Sequence, residues 1–129
     1  MSSSHTHIRL TEVKDSAPEF GLGSDQQARF ANAALDTEQT GVSHHRLKPN
    51  KRQAFGHRHE KAEEVYVVLN GTGRVKLDDE VLELEPLDAV RVAPSVTRAF
   101  EAGPGGIEIL AFGPRHGGDG ELIQGWWSE

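Results

Sequence analysis

Short apolar runs follow one another along this chain, each closed by residues that favour turns. Residues 41–47 stop at Pro49-Asn50, residues 53–59 lead into a charged patch, and residues 64–69 end at Asn70-Gly71. Residues 73–77 reach Asp78-Asp79, residues 81–85 end at Pro86, residues 88–92 at Pro94, residues 97–102 at Gly103 and residues 106–112 at Gly113. About eight short strands with a turn signal every ~8–12 residues predict a β-sandwich or barrel. Asn70-Gly71 and Asp78-Asp79 are the best hairpin turns, since such turns need residues that tolerate positive φ. On this reading Gly71-Thr72-Gly73 is part of a hairpin and not a nucleotide loop. Only residues 24–35 carry a helical pattern, with Ser24 as its cap, Gln27 completing a capping box, and Phe30, Ala33 and Ala34 on the buried side.

Within residues 64–69 the period of two places Glu64, Tyr66 and Val68 on one face and Val65, Val67 and Leu69 on the other. The first set is expected inside. An antiparallel strand apolar on both faces needs a second layer, from the N-terminal segment or another subunit, so a homodimer is expected. Composition narrows the partners. The chain has 129 residues, which suits one domain with a real core. Its 14 Lys+Arg against 20 Asp+Glu leave a net charge of −6, which argues against nucleic acid as partner. No apolar run approaches the ~20 residues of a membrane span, and the first residues lack the basic and hydrophobic regions of a secretory signal. With no cysteine, disulfides, thiolate metal sites and cysteine nucleophiles are excluded, and a reducing cytoplasm is the expected location. Residues 1–9, with His5 and His7, read as a frayed tail.

Candidate chemistry begins at His57-Arg58-His59. Alternation puts both imidazoles on one face and Arg58 on the other. Two imidazoles on one strand with a carboxylate from the next suit a divalent metal of borderline softness. After His59 come four residues and then Glu64, followed by six residues and Gly71. This spacing resembles the first motif of the cupin superfamily. Residues 87–100 resemble its second motif through Asp88, Pro94 and Phe100. The resemblance spans residues 41–113. It implies an all-β, single-domain cupin-type jelly-roll barrel, often dimeric, with an N-terminal extension at 1–40, the barrel at 41–113 and a C-terminal tail at 114–129 packing on the barrel. It also implies a metal held by two histidines, a glutamate and a third histidine. His57, His59 and Glu64 are therefore the candidate ligands, for Fe, Zn, Mn or Ni.

The departures from the family pattern matter as much. Asn50 and Lys51 stand where the first motif usually opens with glycine, Leu87 replaces the glycine before Asp88, and Ser95 replaces the turn glycine. Arg98 occupies the place of the third histidine. Arginine stays protonated and has no lone pair for a metal. Three readings stay open. Arg98 binds an anionic substrate beside a three-ligand metal, or pairs with Glu64 in a metal-free site, or points away while His44 or His45 supplies the third nitrogen. Arg98 shares a face with Phe100, which carries it inward, where it is expected to select anionic ligands such as carboxylates. His44 and His45 are adjacent, so one of them faces inward. His45, Tyr66 and Phe100 join Arg98 as candidate pocket residues. Trp126 and Trp127 are expected to cap the barrel mouth or seal a dimer, and His116 to be solvated. The expected function is a small-molecule cupin with a divalent-metal site, an isomerase, epimerase or oxygenase acting on a small anionic substrate. The alternative is a non-catalytic ligand-binding or structural barrel without metal.

Overall fold

Among the described residues eight strands form. They are β1 (Gln26–Phe30), β2 (Thr40–Leu47), β3 (Gly56–His59), β4 (Glu64–Leu77), β5 (Glu80–Leu84), β6 (Ala89–Val92), β7 (Arg98–Pro114) and β8 (Gly120–Ile123). The computed structural model describes residues 4–115 and 118–127, so His116 lies outside the described residues. All pairings are antiparallel. The two long strands organise the rest. The second half of β7 lies between β2 and the first half of β4, while its first half lies between β3 and the second half of β4. The sheet thus curls on itself as an all-β barrel of the expected cupin type, and strands from both flanking segments join it, β1 on β2 and β8 on β3. No helix among the described residues is long and apolar enough to cross a membrane.

Two expectations fail for tertiary reasons. Asn70-Gly71 is not a hairpin turn. Residues 64–77 form one strand, and the register against β7 shifts at Val68/Asn70 and Gly71/Gly73. Gly71 has φ +77°, and a Cβ there would lie 2.1 Å from the Gly106 carbonyl oxygen. The glycines therefore permit a bulge and a close approach of two backbones, which bends both long strands around the barrel. The helix expected over 24–35 is also displaced. Residues 26–30 pair with β2, and only Asn32–Leu35 forms a helical turn (α1). The open edge of β2 offers hydrogen bonds that outweigh a weak local preference. Asp78-Asp79 does close the β4–β5 hairpin, with Leu77 opposite Glu80 and Asp78 at φ +50°.

The inward set of β4 is as read from the alternation. Tyr66 and Val68 are buried with Leu47, Val75, Phe100 and Ile109 in one core. On β2, His45 lies opposite Ile109 and faces inward, whereas His44 lies opposite Leu110 on the outer face. His44 is nevertheless buried, and its Nε2 lies 2.6 Å from Glu108 Oε2. A carboxylate only accepts, so His44 donates. Arg46 and Asn70 donate to the same carboxylate. Burial would raise the Glu108 pKa, but the bonds from His44, Asn70 and Arg46 outweigh it and hold it at about 2. The folded value lies below the unfolded one. Its stabilisation is therefore present above the ordinary carboxylate pKa of about 4.3 and is lost as pH falls toward about 2. In acid titrations followed by circular dichroism, the advantage of the parent over Glu108→Gln should be constant above pH ~5 and shrink below it.

Leu87 explains one departure from the family pattern. It sits at φ +70°, is 78% exposed, and its N–H donates to the Val68 carbonyl across the turn. The turn needs a left-handed residue, and leucine bears the Cβ clash that glycine avoids, a cost of about 1–2 kcal/mol. Glycine returns part of that as unfolded-state entropy. Leu87→Gly should raise the stability measured in urea by about 0.5–1 kcal/mol.

Candidate metal and ligand site

The site forms where β3, the start of β4 and the start of β7 meet. β3 is too short to hold itself in place. It pairs with β8 along its length and touches β7 only at His57 opposite Arg98. The His59 N–H adds a bond to the Pro94 carbonyl. Arg58 points outward and pairs with Glu121 on β8. His57 and His59 point inward, with ring centroids 5.4 Å apart at 89°. Glu64 opens β4 on its inner face. One ligand atom from each of His57, His59 and Glu64 lies within 4.8 Å of the others.

Asp119, just before β8, orients this group and was not among the residues singled out from the sequence. Its Oδ1 lies 2.8 Å from His59 Nδ1, and its Oδ2 accepts the N–H groups of Lys61 and Ala62 at 2.9 Å each. The carboxylate requires a proton on Nδ1, so in the neutral ring Nε2 carries the lone pair. That Nε2 is buried without a hydrogen-bond partner, 3.1 Å from Glu64 Oε1 but poorly aligned with it. A carboxylate behind a histidine that turns its other nitrogen toward a second carboxylate is the arrangement that suits a metal ligand. The donor set fits a divalent cation of the Fe, Zn, Mn or Ni type.

Glu64 has other partners as well. Its Oε1 accepts from the Tyr66 hydroxyl at 2.5 Å and from Arg98 Nη2 at 2.8 Å. Burial pushes the Glu64 carboxyl up, but the closeness of the His57 and His59 rings and the bond from Tyr66 outweigh this and hold it well below its usual range. The Tyr66 phenol is pushed up, first by burial and then by the Glu64 charge, so it stays protonated and donates. The imidazole of His59 is raised, chiefly by its contact with Glu64.

Arg98 is fully buried. Its Nε donates to Tyr66 Oη at 3.1 Å, and its Nη1 to the carbonyls of Val96 and Pro94 at 2.7 and 3.2 Å. The guanidinium thus ties the turn after β6 to Glu64, and Arg98 is not among the residues that line the cavity. That cavity has a volume of about 380 Å³. His57, His59, Glu64, Tyr66, Phe100 and His45 all contribute to its wall. Tyr66 and Phe100 pack at 4.9 Å between ring centroids. The His45 Nε2 bonds to Ser43 Oγ at 2.8 Å, and burial, followed by the charge of His57, lowers its pKa to about 4. It is a neutral imidazole at neutral pH. The tryptophans fasten the C-terminal segment. Trp127 donates to the Gln53 carbonyl, and a Cβ at Gly56 would lie 2.7 Å from the Trp126 ring.

The strands thus define a curled antiparallel barrel with two imidazoles and a carboxylate turned into an internal cavity. The profile of the cupin domain family matches residues 43–110, more than half of the sequence, and the chain belongs to that family. A search of curated proteins found no matching sequence. Solved structures with the same fold include a cupin protein from Bacteroides fragilis, 22% identical, with a TM-score of 0.72 over 91% of this chain and 89% of the other. The polyketide cyclase RemF from Streptomyces resistomycificus is 18% identical, with a TM-score of 0.73 over 95% of this chain and 86% of the other. The oxalate decarboxylase of Bacillus subtilis is 18% identical with a TM-score of 0.77, and the match covers 95% of this chain but 33% of that longer one.

Proposed function

We propose that this chain is a metal-dependent cupin that binds and transforms a small molecule in the barrel cavity, by isomerase, epimerase or oxygenase chemistry. The observation that carries this is the buried Nε2 of His59, which lies 3.1 Å from Glu64 Oε1 without an aligned hydrogen bond while Asp119 holds the other ring nitrogen. His57, His59 and Glu64 would hold the ion, which would supply a Lewis acid with positions open to substrate. His45 stays neutral and is available as a hydrogen-bonding or basic group. Arg98, its donors engaged by Glu64, Tyr66 and the turn carbonyls, serves the site as the partner of Glu64. The test is calorimetric titration of chelator-treated, tag-free protein with Zn, Mn, Fe(II) and Ni. Binding of one ion per chain, abolished by His59→Ala, is expected. No binding of any of the four would refute the reading.

One observation favours a second reading, a metal-free ligand-binding barrel. Glu64 Oε1 already accepts from Arg98 and Tyr66, so the carboxylate is neutralised without an ion. The same titration separates the two.

We also propose a homodimer. Val65 and Val67 face outward beside Leu110 and Phe112, and Phe112 is 36% exposed. An apolar strip of this kind marks an interaction surface. Light scattering at micromolar concentration should give twice the chain mass, and a monomer would overturn the proposal.

A further inference from the structure

The cavity wall is strongly uneven in chemistry. One end holds His57, His59, Glu64 and the Tyr66 hydroxyl. No lysine or arginine among the described residues lines it, and Glu64 and Glu121 are its acidic members. The rest is mostly apolar, and the rim is more so. Phe20, Phe30 and Leu122 belong to the lining and are 63%, 56% and 63% exposed. They come from three separate segments, the turn at Ala17–Phe20, β1 and β8. Large apolar side chains left in water around one opening mark a surface that expects an apolar body.

A second polar group lies on β1 and β2. Gln26 and His45 both face the cavity, with Gln26 opposite Leu47 and Ala28 opposite His45. Gln26 is 9% exposed, and its amide oxygen has no hydrogen-bond partner. The Nδ1 of His45 is likewise buried and unpartnered. Unsatisfied buried polar atoms cost about 1–3 kcal/mol each, and side-chain amides turn easily about their terminal torsion. A ligand hydroxyl could satisfy either group after such a turn.

We infer that the cavity takes a neutral, ring-bearing apolar molecule with hydroxyl groups at two ends, one meeting the His57–His59–Glu64 end and the other Gln26 and His45, and that it rejects phosphorylated or polycarboxylate compounds. Only the first contact rests on the metal reading. In the metal-free protein a phosphate dianion would enter a wall that offers it no lysine or arginine and would meet Glu64, while an aromatic body would fill apolar space at little desolvation cost. The lowered pKa of His45 agrees, since a neutral imidazole offers an anion no charge.

The probes are a naphthalenediol with hydroxyls on opposite ends, a naphthol, oxalate and glucose phosphate. Each is titrated by calorimetry into chelator-treated protein and into protein incubated with Mn. The diol should bind metal-free parent about tenfold more tightly than the naphthol, the value of one or two hydrogen bonds. Gln26→Leu and His45→Phe should each cut that preference to about twofold. Phe20→Asp and Leu122→Asp lie at exposed positions that threaten no core, and should weaken both aromatic probes alike. The inference is overturned if oxalate or glucose phosphate binds the metal-free protein more tightly than the diol does. It is also overturned if both wall variants keep the full preference, or if the rim variants bind the diol as the parent does. Failure of Mn to bind would sink the metal reading alone, because the preference is read in metal-free protein.

Discussion

Arg98→Ala should lose about 3–5 kcal/mol in urea denaturation, the cost of breaking a buried ion pair from one side. The substitution removes the guanidinium that meets Glu64, Tyr66 and the carbonyls of Pro94 and Val96. It leaves the Glu64 side chain, only 18% exposed, without its cationic partner. A double replacement, Arg98→Met with Glu64→Leu, should recover more than half of that loss, because it removes both charges and keeps volume. An Arg98→Ala protein within 1 kcal/mol of the parent would show that this network does not hold the barrel end together. Metal affinity should move the other way. A guanidinium within several ångströms repels a divalent ion by several kcal/mol at an effective dielectric near 20. Arg98→Ala that still folds should therefore bind Zn at least about tenfold more tightly than the parent.

The other large effect is expected at Asp119. Asp119→Asn can keep its oxygen on the Lys61 and Ala62 N–H groups while presenting its amide N–H₂ to His59 Nδ1. His59 Nδ1 then becomes an acceptor, its proton moves to Nε2, and the lone pair that faced Glu64 is lost. Zn affinity should fall about 10–100-fold, with stability nearly unchanged. Asp119→Ala should lose affinity and stability together. An Asp119→Asn protein that binds Zn like the parent would remove Asp119 from the site. Acid should also weaken binding, because the imidazoles must be neutral to ligate. The Glu64 carboxylate raises the His59 pKa, so proton competition should begin at a higher pH than for an ordinary histidine.

Much of the site could be read from the sequence because its signals are local. A period of two places His57 with His59 and Glu64 with Tyr66 whatever the strands pair with, and the spacing to Gly71 that the resemblance to the cupin motif implies points to Glu64 as the carboxylate. The same parity carries Arg98 inward with Phe100, since the core claims the phenylalanine. Turn chemistry locates Asp78-Asp79 for the same reason.

Other features had no local signature. Asn70-Gly71 serves a hairpin or a bulge equally well, and only the close approach of Gly103 and Gly106 on the opposing strand makes it a bulge. Residues 26–30 read as helix, yet the free edge of β2 claims them. Which of His44 and His45 faces the cavity follows from pairing to Ile109 more than sixty residues away. Asp119 stands in a glycine-rich stretch with no periodicity, 60 residues beyond the histidine it orients. The sequence by itself determined the strand periodicity, the turn residues and the chemistry of each face, because these depend on neighbours in the chain. The tertiary structure decided register, strand continuity and the partners of Arg98 and His59, because those depend on backbone hydrogen bonds and burial between segments that local pattern does not connect.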